Sequence, residues 1–518
     1  MKTNESTTLI PSGNRPDSEG ETKALSNASD NARLLPAAFI KGNRVFPIKV
    51  EAGFLHVASA APLSQRVIED IRLLTGLEVW QVLLTEQEME GKIASSNQVT
   101  VENMVEGMDA EKTAGGESKN LHDIEVMANE PTVVNLVNLI ISTALQEGAS
   151  DIHLVPFVQS IQLRYRIDGL LQDKPPPPKQ LHAALISRIK IMADMNIAER
   201  FMPQDGHIQI HHRGNRVDIR VGTMPTIYGE SMVLRLLVKD KRMQSHKDLG
   251  LDPVRSHLLS RLVGKPHGLF LTTGPTGSGK TTTLYAILQS IYTEELKILT
   301  IEDPVEYELH GVAQIPVRPS RNFNFADGLR AILRQDPDVV MVGEIRDYET
   351  AEIAIRAALT GHQVFSTLHT NDAVGAVTRL VDMGVEAFLI SSALEGVLAQ
   401  RLVRKICPHC KTPHEPPSGI RDQIKALSGR AVEGTFYHGT GCAECRGIGY
   451  KGRVGIFELL AISPEMRELI LQKRSNLELK SLAQKNMVTI HQDAMQKAIE
   501  GITSLEEILR VSSGDLLE

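Results

Sequence analysis

The chain is poor in aromatic side chains, which make up 4% of its 518 residues, and it carries one tryptophan and four cysteines. So few cysteines exclude the disulfide-dense scaffold of a small secreted domain. No apolar run approaches the ~20 residues that span a bilayer, so membrane association would have to come through a partner. Met1 to Asp30 is rich in Ser, Asn, Glu and Thr and lacks the apolar core of a secretory signal, which points to a cytoplasmic protein. Positive charge is not in excess either: 63 acidic residues against 56 basic give a net charge of -7 and no general attraction to nucleic acid or anionic lipid. What is present is a hydrophobic fraction of 42%, ordinary for a protein with real cores, and a length that suits about three or four domains.

The chain is organised around Gly274-Pro275-Thr276-Gly277-Ser278-Gly279-Lys280-Thr281, which has the full spacing of a phosphate-binding loop. Gly268 to Thr273 before it suits a buried strand, and Thr282 to Leu288 after it reads as the opening of a helix. Glycines let successive backbone N–H groups turn toward phosphates, and the helix N-terminus adds its partial positive charge. Lys280 would reach the β- and γ-phosphates of ATP, and the Thr281 hydroxyl would ligate Mg²⁺. Binding alone is not hydrolysis, which also needs a metal-organising acid and a group that positions water. Two apolar strands deliver acids: Leu299 to Ile301 ends in Glu302 and Asp303, with Glu306 nearby, and Asp338 to Val342 ends in Gly343 and Glu344. Strand C-termini are where open α/β sheets bind ligands. Glu344 takes the role of holding Mg²⁺ through water, and His369, just past the next strand, reads as a γ-phosphate sensor rather than a general base.

Around this core the spacing implies seven segments. Residues 1–33 read as a mobile tail, 34–94 as a first N-terminal α/β module, and 95–121 as a polar linker. Residues 122–240 form a second N-terminal α+β unit, opened by an amphipathic helix from Thr132 to Gln146. From 241 to 403 strands and helices alternate, the pattern of a mostly parallel sheet covered by helices. Residues 404–455 carry Cys407, Cys410, Cys442 and Cys445, two C-x₂-C pairs that suit tetrahedral Zn²⁺ in a closed structural site, with reduced thiols or a redox pair as the alternative. Residues 456–518 read as a helical end piece.

Gly274 to Thr281, Thr300 to Tyr307, Val339 to Asp347 and Gly361 to Asp372 resemble, in turn, the Walker A, Asp-box, Walker B and His-box motifs of the type II secretion and type IV pilus assembly ATPases. Gly148 to His153 and Arg164 to Gly169 are similar to that family's second N-terminal domain, and the tetracysteine element fits its assembly members. The resemblance implies an α/β fold with a RecA-like P-loop domain, and a cytoplasmic homohexamer that hydrolyses ATP and acts on an inner-membrane platform protein, peripheral to that membrane. It implies Glu302 as the water-activating residue with Glu306 as second candidate, Glu344 as the Mg²⁺-associated acid, and Arg164, Arg166 and Arg220 as a charge clamp on the phosphates. Where the family reads E-R-R-x-P-Q-D-G-R, this chain has Phe201 and His207 in place of two arginines. The first module resembles half of a domain that in some relatives binds a cyclic dinucleotide, without the duplicated ligand motif, so docking to a membrane partner is its expected role. A nucleotide-binding ring without turnover and a DNA-translocating ATPase are the competing readings.

Overall fold

A computed structural model of the protein describes residue 35 and residues 43–51, 54–75, 77–85, 121–212, 215–238, 249–318, 321, 323–428 and 434–512. The expected tail and all but the last residue of the expected linker lie outside them. The chain falls into two compact units, Met1–Lys119 and Asn120–Glu518.

The first unit is a three-stranded sheet of β1 (Val45–Glu51), β2 (Phe54–Ser59) and β3 (Glu78–Leu83), with helix α1 (Gln65–Thr75) between the last two strands. Val45, Leu55, Val57 and Ile71 form its small core.

The second unit opens with α2 (Leu121–Ala128) and α3 (Pro131–Gln146). An antiparallel sheet follows, built from β4 (Ala149–Pro156), β5 (Ile161–Ile167), β6 (Leu170–Lys174), β7 (Gln204–His212), β8 (Asn215–Thr226) and β9 (Gly229–Val238), with α4 (His182–Met192) between β6 and β7. Its strand order is β6-β5-β4-β9-β8-β7. Strict alternation in β5 buries Ile161, Leu163, Tyr165 and Ile167 and leaves Gln162, Arg164 and Arg166 on the other face. The Tyr165 hydroxyl donates to the Ile140 carbonyl at 2.8 Å, fastening α3 to the buried face.

The larger sheet is built on the same rule with both faces covered. Helix α5 (Pro253–Val263) leads into β10 (Gly268–Thr273), α6 (Lys280–Ile291), β11 (Ile298–Glu302), β12 (Val312–Pro316), α7 (Phe325–Ile332), β13 (Val339–Val342), α8 (Tyr348–Leu359), β14 (Gln363–Leu368), α9 (Ala373–Asp382), α10 (Ala387–Ala393) and the long strand β15 (Leu394–Ile406). Every residue of β10, β11, β13 and β14 is buried. Leu269 and Leu271 join one core and Phe270 the other, so near-continuous apolar strands serve helices on both sides. The order is β12-β11-β13-β14-β10-β15-β18, parallel from β12 to β15. The last strand, β18 (Tyr450–Ala461), returns antiparallel to β15. This is the α/β fold expected of residues alternating around a phosphate loop.

Between β15 and β18 the chain makes a two-stranded ribbon, β16 (Lys411–His414) and β17 (Phe436–Gly439), with α11 (Ser418–Ser428) between them. Among the described residues four short helices follow: α12 (Pro464–Leu471), α13 (Asn476–Ala483), α14 (Ile490–Ile499) and α15 (Leu505–Ser512). Buried charge pins α14 to the large sheet. Asp493 pairs with Arg255 of α5, accepts from Lys497 Nζ at 2.6 Å and from the Phe457 backbone N–H at 2.8 Å. Removing one member of a buried pair strands the others in low dielectric. Asp493→Ala is therefore expected to lower unfolding free energy by about 3 kcal/mol or more in urea titrations; a loss below about 1 kcal/mol would show that these charges are solvated.

Candidate nucleotide site

Strand β10 ends in Thr273, and the chain turns through Gly274, Gly277 and Gly279, with φ of 147°, 78° and 89°, before α6 begins at Lys280. Only glycine adopts such angles freely. A Cβ on Gly274 would also stand 2.3 Å from the Gln400 carbonyl oxygen and 2.7 Å from Ser278 Oγ. Pro275, Thr276 and Gly277 form the exposed tip, whereas Ser278 and Lys280 are buried. Thr281 is half-buried and Thr282 exposed on the first turn of α6. The α6 N-cap is Gly279, without a side-chain cap, and buried Ser278 Oγ has no hydrogen-bond partner among the described residues. A concave glycine loop, an uncapped helix N-terminus and an orphaned buried hydroxyl together form a donor set that fits a nucleotide polyphosphate.

Three sequence-distant groups meet at this loop. Lys280 Nζ donates to the Gly274 and Pro275 carbonyls at 2.7 and 3.2 Å and lies 3.5 Å from His369 Nδ1. His369 Nε2 is 3.2 Å from Glu344 Oε2, and Arg346 holds the other Glu344 oxygen at 2.5 Å. Burial pushes the Lys280 ammonium down to about 8, against the opposing pull of Glu344.

Glu302 has a different setting. It is 2% exposed at the end of β11 and accepts from the Tyr285 hydroxyl, from Thr300 Oγ1 at 2.6 Å and from Gln314 Nε2 at 3.1 Å. Glu306, four residues on, reaches solvent and lies 3.5 Å from Arg220 of β8; Arg220 also donates to the Val305 carbonyl at 3.2 Å. The smaller sheet thus touches the loop after β11 through Arg220. The cross-strand register sets Arg166, Asp151, Arg235, Arg220 and His207 in one row across β5, β4, β9, β8 and β7. Arg235 Nε donates to Asp151 at 3.1 Å and Arg166 Nε lies 3.6 Å from it, so these two face Asp151, while Arg164 sits one row over, opposite His153. Phe201 is 85% exposed, and His207 lies 3.9 Å from Asp218.

Motif spacing misses the supports. Gln400, buried in β15, donates to the Ser278 carbonyl at 2.6 Å and accepts from Thr283 Oγ1 at 2.7 Å, bracing the end of the loop against the first turn of α6. The only sequence signal was a lone amide in an apolar strand. Arg235 lies among the apolar residues of β9, with no local spacing to mark it out. Glu458 of β18 accepts from the Ala373 and Ile490 backbone N–H groups at 2.9 and 3.2 Å, and Lys480 pairs with Asp372 at 2.8 Å. These bonds tie the terminal helices to the loop that carries His369. Burial pushes the Glu458 carboxyl up, opposed by the two backbone donors.

The four cysteine sulfurs converge within 4.8 Å of one another, with Sγ–Sγ separations of 3.8, 3.7 and 3.7 Å. A disulfide needs about 2.05 Å, whereas four thiolates about 2.3 Å from zinc stand about 3.8 Å apart. Backbone N–H groups of Cys442 and Gly449 point at Cys445 Sγ, both at 3.2 Å. Burial works to raise the Cys445 thiol, but these donors bring it down to about 6. The donor set fits Zn²⁺.

A glycine loop between strand and helix, flanked by strand-end acids in a mostly parallel sheet, defines a RecA-like P-loop NTPase. The chain belongs to the type II/IV secretion system protein family, whose sequence profile matches residues 126–510. A MshEN domain profile matches residues 23–100. The chain is 44% identical over 463 residues to the type II secretion system ATPase E of Vibrio cholerae, covering 87% of this chain and 91% of that one. It is 41% identical over 488 residues to the type II secretion system protein E of Xanthomonas campestris, covering 92% and 84%. Among solved structures it is similar to the pilus retraction motor PilT with bound ADP, at 30% identity and a TM-score of 0.51, over 72% of this chain and 96% of that one. The Legionella pneumophila ATPase DotB, at 23% identity and a TM-score of 0.55 over 75% and 98%, shares the fold. Among the described residues no helix is long and apolar enough to cross a membrane.

Anionic phosphate favours the charged form of Lys280, and that form is progressively lost as pH rises through about 8. The affinity for MgADP is therefore expected to hold below pH 8 and weaken above it, while Lys280→Ala binds weakly with no such slope. Titrations at a series of pH values check this, and a flat profile for the unmodified protein between about pH 7 and 9.5 would contradict it.

Proposed function

We propose that this protein is the ATPase motor of a type II secretion or type IV pilus assembly system, working as a cytoplasmic homohexamer against an inner-membrane platform protein. The observation that carries the reading is the meeting of Lys280, His369 and Glu344 at the phosphate loop, with Arg220 of the smaller sheet held on Glu306 of the neighbouring loop. In this reading the loop residues Gly274 to Thr282 bind the polyphosphate, and Lys280 leaves its carbonyl partners to neutralise the β- and γ-phosphates. When bound, Mg²⁺ supplies charge neutralisation between the phosphates; Thr281 and Glu344 are the residues that would hold it. His369 reads the γ-phosphate and reports to Glu344.

Glu302, held by three side-chain donors, fixes the end of β11, and Glu306, which reaches solvent and faces Arg220, is the carboxylate that orients the attacking water. This reverses the order of preference drawn from the resemblance alone, because a base must be within reach of the water whose proton it takes, and Glu302 is buried whereas Glu306 opens to solvent. Arg220, with Arg164 and Arg166 from the same face, supplies the charge clamp from the smaller domain. The tetracysteine element holds one structural Zn²⁺ that keeps the ribbon of β16 and β17 folded. Movement of the smaller sheet relative to the larger one during turnover would deliver the mechanical step. The first unit docks to the membrane partner; no nucleic acid takes part.

Steady-state ATP hydrolysis by size-fractionated protein tests the reading. Turnover is expected in the hexamer-sized fraction, reduced about 100-fold or more by Lys280→Ala. Absence of turnover in every fraction, also with the platform's cytoplasmic domain added, would overturn it. For the metal, elemental analysis of purified protein is expected to give about one zinc per chain, lost in Cys445→Ser; four titratable thiols and no metal would remove zinc from the account.

A further inference from the structure

The residue whose contacts reach furthest without a role so far is Tyr285, on the helix that begins at the nucleotide loop. Its ring is 1% exposed and packs edge-on against Tyr307, with centroids 4.6 Å apart and planes at 83°. A phenolic hydroxyl offers one proton and two acceptor positions, and here all three are engaged. The proton goes to Glu302; the oxygen accepts from the Glu306 backbone N–H at 3.3 Å and from Gln314 Nε2 at 3.4 Å. Helix α6, strand β11, strand β12 and the loop from Asp303 to Tyr307 therefore meet at one oxygen atom. Packing in this core would be equally served by a phenylalanine, so the hydroxyl needs a separate account.

We infer that Tyr285 is a positioning residue for hydrolysis: its hydroxyl links the nucleotide-loop helix to the loop that presents Glu306, so that polyphosphate seated on α6 sets where Glu306 stands. The inference rests on the hydrolytic reading above. Tyr285 lies five positions beyond Lys280 on the same helix, which makes the link short and stiff. Glu306 in turn lies 3.5 Å from Arg220, so its placement also fixes the contact with the smaller sheet. Burial, together with the Glu302 charge, raises the hydroxyl well above the usual tyrosine range, so it remains a donor throughout the working pH range. Glu302 is the fixed end of this linkage and Glu306 the working end.

Tyr285→Phe keeps the ring and removes all three bonds. It is expected to lower kcat at least tenfold while KM for ATP and the affinity for MgADP stay within about threefold. The double variant Tyr285→Phe, Glu306→Gln is expected to be no slower than Glu306→Gln alone, because both act on one carboxylate. A brace serving stability only would instead lower the melting temperature and weaken nucleotide binding and turnover together, and turnover within twofold of the unmodified protein would also overturn the inference. Should the phenylalanine variant fail to fold, 3-fluorotyrosine placed at 285 keeps the hydroxyl and its three bonds. That protein is expected to turn over within twofold of the parent, and a tenfold loss there would refute the assignment. The two levels separate cleanly: an unmodified protein without ATP hydrolysis sinks the hydrolytic reading, whereas hydrolysis indifferent to Tyr285→Phe sinks this inference alone.

Discussion

The backbone turn at Gly274, Gly277 and Gly279 is the constraint on which the rest of the site depends. Left-handed angles at these three positions bring the chain from β10 into α6 within six residues and leave the first turn of the helix uncapped. That geometry aims N–H groups at one point, but it is costly for the chain to hold, since glycine loses more freedom on folding than any other residue. The structure offsets the cost from outside the loop. Gln400 grips Ser278 and Thr283 from β15, a Cβ on Gly274 would collide with the Gln400 carbonyl, and one on Gly279 would press on its side-chain amide. Strand β15 is thus the backing plate of the loop as well as the partner of β18.

From that plate the same strand reaches outward. Arg401 donates to the Val511 and Asn371 carbonyls, and Arg404 pairs with buried Glu507 of α15 at 2.8 Å. Cys407 follows directly. The nucleotide loop, the histidine loop, the terminal helices and the cysteine ribbon are therefore all referenced to one rigid element. A second path leaves through Tyr285 to Glu306 and ends on Arg220. A motor needs both kinds of part: a frame that does not yield, and a contact between domains that can change. Arg220 with Glu306, one partly exposed ion pair and one hydrogen bond, has the strength suited to the second, since exposed pairs contribute about 1 kcal/mol or less.

Much of this is legible in the sequence. The glycine spacing placed the loop, and apolar runs placed β10, β11, β13 and β14. What stayed hidden had physical reasons. Strand β7, Gln204–His212, buries a single residue, Ile208, and only Ile208 and Ile210 on one face are apolar, too few to mark a strand by alternation. Helical apolar spacing continues from Leu181 to Ala198, but α4 stops at Met192, before Asp194 takes a φ of 56°. Strand β18 runs across position 455, because its pairing with β15 depends on residues some fifty positions away rather than on its own pattern. Gln400 and Tyr285 act through partners that no local spacing reveals. Glu302 stands out in the sequence as an acid at a strand end, but its three donors come from α6, β11 and β12 and leave no mark in local spacing.

In the proposed motor, nucleotide state sets the angle between the sheet bearing Arg220 and the sheet bearing Lys280. Spin labels introduced as non-natural residues at exposed Gln209 and Leu359 would report that angle as a distance distribution by pulsed electron resonance. Distinct distributions are expected with MgADP and with a non-hydrolysable ATP analogue, and a merging of the two in Arg220→Ala. A single distribution indifferent to nucleotide would mean that the domains do not move on each other, and that the chain binds nucleotide without converting it into motion.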